Sequence, residues 1–261
     1  MHTNNNFLYI KHNQCNAIIS LQGAQLISWK PKERDDILWS TQLSYFEEGK
    51  AFRGGIPICW PWFGKLKSPA HGFARLLRWS LDKREENKKN VTLTFTLKDT
   101  PETHKLFPHT FLLTLTMVLG NTLSISLSVS CDIETTGALH TYLSSQNIMK
   151  EQIYGLGITY KDALQDYKEI FTTEPLTIKK EVDRIYTQSL STTKIVSDKR
   201  KMTLLHKGYS DIVVWNPWKD TSSKLEDMRE YDYLKMFCVE SARITLPLAK
   251  KDELSMHLSF M

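Results

Sequence analysis

The stretch from Leu106 to Cys131 constrains the fold most, because it runs without a formal charge and yet cannot be a membrane helix. Leu113, Leu115, Met117 and Leu119 alternate with Thr114, Thr116 and smaller groups. After Gly120-Asn121, the residues Leu123, Ile125, Leu127 and Val129 alternate with Ser124, Ser126, Ser128 and Ser130. A lipid-facing helix does not carry serine at every second position. Period two places successive side chains on opposite faces of a strand, so the segment predicts two antiparallel strands with one buried face. Gly120-Asn121 is expected to supply the positive-φ residues of a tight hairpin turn. Val91 to Leu97 alternates in the same way and adds a third strand to a meander.

Short β-branched or aromatic runs at 17–21, 26–29, 212–215 and 256–260 extend the pattern. Amphipathic helices are scarce, although Leu225 to Met236 has room for one or two turns. With 41% hydrophobic and 24% charged residues, the 261-residue chain can bury a full core. Neither a repeat nor a Gly/Ser-rich or Pro-rich linker divides it, so one all-β domain over 1–261, a two-sheet sandwich, is expected.

The charge balance, 34 basic against 29 acidic residues, comes without a long block of one sign. Its aromatics gather in one Pro/Gly-rich segment instead of interleaving with Lys and Arg along a strand, which argues against a nucleic-acid partner. The four cysteines (Cys15, Cys59, Cys131, Cys238) show no C-x-x-C or C-x-x-H spacing, so neither a zinc site nor a disulfide framework is indicated. They suit a reducing cytoplasm. Met1 to Asn6 lacks the basic and apolar regions of a secretory leader, so neither export nor a membrane anchor is expected.

Chemistry-bearing residues concentrate in a few places. Phe52 to Gly64 puts three glycines, two prolines and three large aromatics after Arg53 and reads as an irregular loop, its aromatics plugging one end of the sandwich. Arg53 presents a planar charged fork to a phosphate or carboxylate, or else lies in a surface ion pair. His71, between Pro69 and Gly72, and Arg75 four residues later add imidazole and positive charge. In Ala138 to Leu143, alternation sets His140 and Tyr142 opposite the leucines, facing a cleft or solvent. A histidine beside a tyrosine on an open sheet face suits a carbohydrate. Glu240 ends the apolar run Met236-Phe237-Cys238-Val239 on the face of Met236 and Cys238, where a carboxylate is costly unless paired, functional or turned to water. Asp183, among the charges of 181–184, reads most simply as part of a solvated face.

Taken in order, 52–64, Pro-Ala-His-Gly-Phe-Ala-Arg at 69–75, Ala-Leu-His-Thr-Tyr at 138–142, Val-Asp-Arg-Ile-Tyr at 182–186, Val-Val-Trp-Asn-Pro-Trp at 213–218 and Phe-Cys-Val-Glu at 237–240 resemble the aldose 1-epimerase (mutarotase) superfamily. Within it they are most similar to the hexose-6-phosphate mutarotase (glucose-6-phosphate 1-epimerase) branch, and Leu21 to Trp29 resembles the family's first hairpin. The resemblance implies a β-supersandwich of the galactose mutarotase type with its site in a groove on the concave sheet face. It implies Glu240 as general base, His140 as general acid, and His71 and Asp183 as sugar contacts. Arg53 and Arg75 correspond to the phosphate-contacting arginines. It also implies a cytoplasmic isomerase acting as a monomer on a small sugar phosphate, without metal, cofactor, nucleic-acid or membrane partner. Ser241-Ala242 and Asn147 depart from the common pattern away from the catalytic positions. A mutarotase for unphosphorylated aldoses would keep Glu240 and His140 without needing the two arginines, and a silent carbohydrate-binding protein would keep the groove alone.

Overall fold

The computed structural model describes residues 6–43 and 46–261, so the opening residues read above for a leader lie largely outside the described residues. The described residues form three antiparallel sheets. The N-terminal sheet joins Phe7–His12, Cys15–Ser20 and Gln25–Pro31. A second runs in the order Gln152–Tyr154, Thr192–Val196, Lys201–Lys207, Asp252–Phe260, Leu123–Cys131, Phe111–Gly120, Asn90–Lys98 and Ser80–Glu86. The third runs Lys168–Phe171, Thr159–Asp162, Val182–Tyr186, Asp211–Asn216, Met236–Leu248, Thr135–Leu139 and Ile58–Cys59, and Tyr142–Ser144 also pairs with Met236–Leu248. The expected two-sheet sandwich is therefore two eight-stranded sheets with a three-stranded one added.

The uncharged stretch is the predicted hairpin: Leu113, Leu115, Met117 and Leu119 are buried, and Leu115 pairs with Leu127. No helix among the described residues is long and apolar enough to cross a membrane. The expected turn chemistry was wrong, since none of Gly120, Asn121 and Thr122 has positive φ. Glycine at 120 answers a close approach instead, because a Cβ there would meet the Lys89 carbonyl oxygen at 2.7 Å. Between 225 and 236 only a 3-10 turn at Asp232–Leu234 forms, while a short helix at Trp218–Ser222 went unread because five residues carry too little periodicity.

One cluster of buried side chains draws on all three sheets, from Ile10 and Trp29 through Leu115 and Leu127 to Val214, Phe237 and Val239. Polar contacts cross between the large sheets, among them the Arg243 Nη2–Asp252 Oδ2 ion pair at 2.9 Å. Thr141 Oγ1 reaches Met256 Sδ at 3.6 Å, and His206 Nδ1 meets Ser241 Oγ at 2.6 Å. The His206 Nε2 lies 3.0 Å from Thr193 Oγ1. Burial lowers the His206 pKa from 6.5 to about 4. The unfolded chain therefore binds this proton first, and stability present above pH 6.5 is lost as pH falls toward 4. At ~1.4 kcal/mol per pKa unit the loss reaches roughly 3 kcal/mol. Urea midpoints measured from pH 7 to pH 4 should fall steeply in the native chain and more gently in His206→Gln; equal slopes would contradict this.

Candidate functional site

Alternation along Met236–Leu248 divides its side chains. Phe237 and Val239 enter the main core, whereas Met236 and Cys238 pack with Trp39, Tyr142 and Tyr233 on the other face, and Ala242 packs with Cys59, Ala138 and Val213. Glu240 lies between these two outer clusters. Ser241, the departure noted in the sequence, turns inward to His206, and Asn147 accepts a hydrogen bond from the Met149 amide to cap a 3-10 turn.

The neighbouring chain pairs with Met236–Leu248 twice, Leu139 opposite Ser241 and Tyr142 opposite Cys238. Between the two ladders the same register sets His140 opposite Glu240, though the His140 amide donates to the Pro57 carbonyl. Their side chains meet, with His140 Nδ1 3.4 Å from Glu240 Oε1. The angle makes no hydrogen bond, and His140 Nδ1 and Glu240 Oε2 are both buried without a partner. Burial pushes the Glu240 carboxyl well above its usual 4.5, helped by the Asp183 charge. Burial likewise holds His140 well below 6.5, helped by His71, Arg75 and Arg53. Both shifts favour the neutral forms of the two groups.

Aromatic rings fix the histidine. Tyr142 stacks on it at 4.7 Å and an interplanar angle of 6°, and His71 meets it edge-on at 5.5 Å. His71 reaches this place through an unusual backbone: its φ is +60°, and the following Gly72 has φ +71°. A Cβ on Gly72 would stand 2.0 Å from the Trp60 carbonyl oxygen, so only glycine lets the two loops touch. Burial lowers His71 to about 4, with Arg75, Arg53 and Lys65 adding to the shift, so it is neutral near pH 7.

The aromatic-rich loop is the expected plug, with Trp60 wholly buried among Phe73, Phe107 and Phe111. It is not wholly irregular, because Ile58–Cys59 pairs with Thr135–Leu139. Arg53 is held by its own backbone, whose carbonyl accepts from the Thr41 amide, and by Asp227, whose carboxylate takes the Nε proton at 2.8 Å. The ion-pair reading of Arg53 is therefore partly realised, yet the guanidinium also lies 5.8 Å from the Trp215 ring and acts electrostatically on both His71 and His140. Arg75 rides a 3-10 turn, Ala74–Leu76; its Nη2 donates to the Ala70 carbonyl and its buried Nε has no partner. Asp183 sits opposite Trp215 and is pushed up to about 6 by burial and by Asp162 and Glu181. It belongs to the same field as Glu240 and is not the solvated charge its neighbours suggested.

All six residues singled out from the sequence therefore converge. Asp227 was missed and has no local signal, being joined to Arg53 across 174 positions. Cys238 was placed on the face of Glu240 but its proximity to His140 was not foreseen: ligand atoms of His140, Cys238 and Glu240 all lie within 4.8 Å of one another. Metal-ligand spacing, absent along the sequence, exists in space. A cavity of about 720 Å³ among Arg34, Ser145, Glu151 and Arg200 lies elsewhere and touches none of the six.

Known proteins resemble the chain along nearly its whole length. The aldose 1-epimerase family model matches residues 7–260. A relative from Escherichia coli (strain K12), provisionally named glucose-6-phosphate 1-epimerase, is 38% identical over 241 residues, 90% of this chain and 82% of its own. A crystal structure of a provisionally assigned mutarotase from Salmonella typhimurium superposes with a TM-score of 0.94 at 35% identity, over 97% of this chain and 89% of that one. Galactose 1-epimerase from Lactobacillus acidophilus shares the fold at a TM-score of 0.74 and 12% identity, over 98% and 94% of the two chains.

Proposed function

The chain belongs to the aldose 1-epimerase family, with the galactose mutarotase fold, and on that premise we propose that it interconverts the α and β anomers of a hexose 6-phosphate, glucose 6-phosphate first. The observation that carries the reading is the buried His140–Glu240 pair, short of hydrogen-bond partners, beside two arginines of which one keeps an unpartnered Nε.

The reaction moves one proton on and one proton off. Glu240 as carboxylate takes the proton of the C1 hydroxyl while imidazolium His140 protonates the ring oxygen. The C1–O5 bond breaks, its electron pair goes to O5, and C1 becomes an aldehyde. Rotation about C1–C2 offers the other carbonyl face, and the C5 hydroxyl closes on it with the two roles reversed. This starting form carries its proton on the imidazole, against the neutral forms that burial favours, and sugar hydroxyls supply the hydrogen bonds that charge separation requires. Asp183 and neutral His71 would hold sugar hydroxyls, while Arg53 and Arg75 would grip the phosphate.

Magnetisation-exchange NMR tests the assignment with glucose 6-phosphate, glucose and galactose side by side. Exchange in the phosphorylated sugar should exceed that in the other two by at least about tenfold in kcat/KM, the smaller effect of one charge-assisted contact. Equal rates would make the protein a mutarotase for unphosphorylated aldoses, and no exchange in any sugar would leave a binding protein.

A further inference from the structure

The geometry points to a second use of the buried His140–Glu240 pair: together with Cys238 they form a three-ligand site for a zinc-class divalent cation, which stops the reaction by occupying both proton carriers. The three side chains offer an imidazole nitrogen, a thiol sulfur and a carboxylate oxygen, a donor set zinc accepts with a fourth position left open. All three are buried, His140 to 8% exposure, Glu240 to 1% and Cys238 to 0%.

Spacing supports the assignment. Two bonds of roughly 2.0–2.2 Å meeting at a tetrahedral ion hold nitrogen and oxygen about 3.4 Å apart. His140 Nδ1 and Glu240 Oε1 stand 3.4 Å apart with no hydrogen bond between them. The sulfur lies within 4.8 Å of both partners, and a shift of about 1 Å would seat it at tetrahedral distance. His140 Nδ1 is buried without a partner, as is Oε2, the second oxygen of the same Glu240 carboxylate, and an ion would satisfy the imidazole directly.

Charge also closes. The dication, a Cys238 thiolate, a Glu240 carboxylate and neutral His140 sum to no net charge beside Arg53 and Arg75. No oxidant or reductant takes part. Because the ion occupies the groups on which sugar opening depends, inhibition should be competitive with the sugar phosphate.

The test uses the intact chain with Co²⁺ and Zn²⁺ as probes. Co²⁺ added to the metal-free protein should give the intense visible bands of a tetrahedral ion together with a thiolate charge-transfer band, at one ion per chain. Zn²⁺ should inhibit anomer exchange, with EDTA restoring it. Cys238→Ser keeps the shape and leaves uninhibited exchange unchanged, but should lose the charge-transfer band and need more than about 100-fold higher Zn²⁺ for half inhibition. An octahedral cobalt spectrum without a thiolate band in the native chain would overturn the site, as would equal zinc sensitivity of Cys238→Ser. The inhibition measurement rests on the proposed reaction, whereas the cobalt spectrum does not, so failure of the one is distinguishable from failure of the other.

Discussion

Glu240→Gln and His140→Asn should each slow catalysed anomer exchange by about 10²- to 10⁴-fold, the worth of one positioned acid or base, and leave the fold intact. Both changes keep shape and remove proton transfer. The double variant should be little worse than either single one, because the residues act as a unit. The direction of the two pKa shifts also fixes the pH profile. The active pair carries one proton, so activity should fall only when pH drops below the lowered His140 pKa and a second proton enters, or rises above the raised Glu240 pKa and the last one leaves. The acid limb thus lies well below 6.5 and the alkaline limb well above 4.5. Unphosphorylated glucose is the control, since a phosphate ester itself titrates near about pH 6. Wild-type rates in either single variant would remove that residue from the mechanism, and an acid limb at or above 6.5 would contradict the depressed imidazole.

Arg53→Ala and Arg75→Ala should each lower kcat/KM for glucose 6-phosphate by about 10- to 150-fold, from roughly 1.5–3 kcal/mol per charge-assisted contact. Exchange in glucose should hardly change, because the arginines grip a group remote from C1. Structure refines this expectation. Asp227 engages the Arg53 Nε and leaves the two terminal nitrogens for a ligand, so it orients the fork while partly neutralising it. Arg75 has its Nη2 on the Ala70 carbonyl and its Nε unpartnered. Salt dependence of KM should flatten in both variants, since screening acts on the pairing removed. Equal losses with glucose and glucose 6-phosphate would show the arginines to be structural.

Side-chain alternation made the central hairpin and the inward leucines beside His140 legible, because the period of a strand is written directly into which residues are apolar. It also set Cys238 and Glu240 on one face. What it left unread was register. Whether His140 meets Glu240 depends on two ladders separated by a break, and a slip of one position would separate them. Local reading grouped Arg53, His71 and Arg75 as an anion site, whereas their grouping with His140, Asp183 and Glu240 came from the motif resemblance. Asp183 shows the cost of local reading: its charged sequence neighbours suggested water, whereas its strand faces Trp215 and Glu240's field. The first strand, Phe7–His12, was missed because its outer residues are too exposed to give a clear period, and the hairpin glycine serves clearance at Lys89 instead of turn geometry.

The division of Met236–Leu248 into two faces bears on how such a protein can change over generations. Phe237 and Val239 answer to the core and Ser241 to His206, while Met236 and Cys238 pack with Trp39 and Tyr142, and Ala242 with Cys59 and Ala138, on the face that carries Glu240. Inheritance can therefore alter the odd and even positions under nearly independent selection. Drift at 236 and 242 would reshape the packing beside Glu240 over a frame that stays folded, and the same strand supplies both the constancy and the novelty.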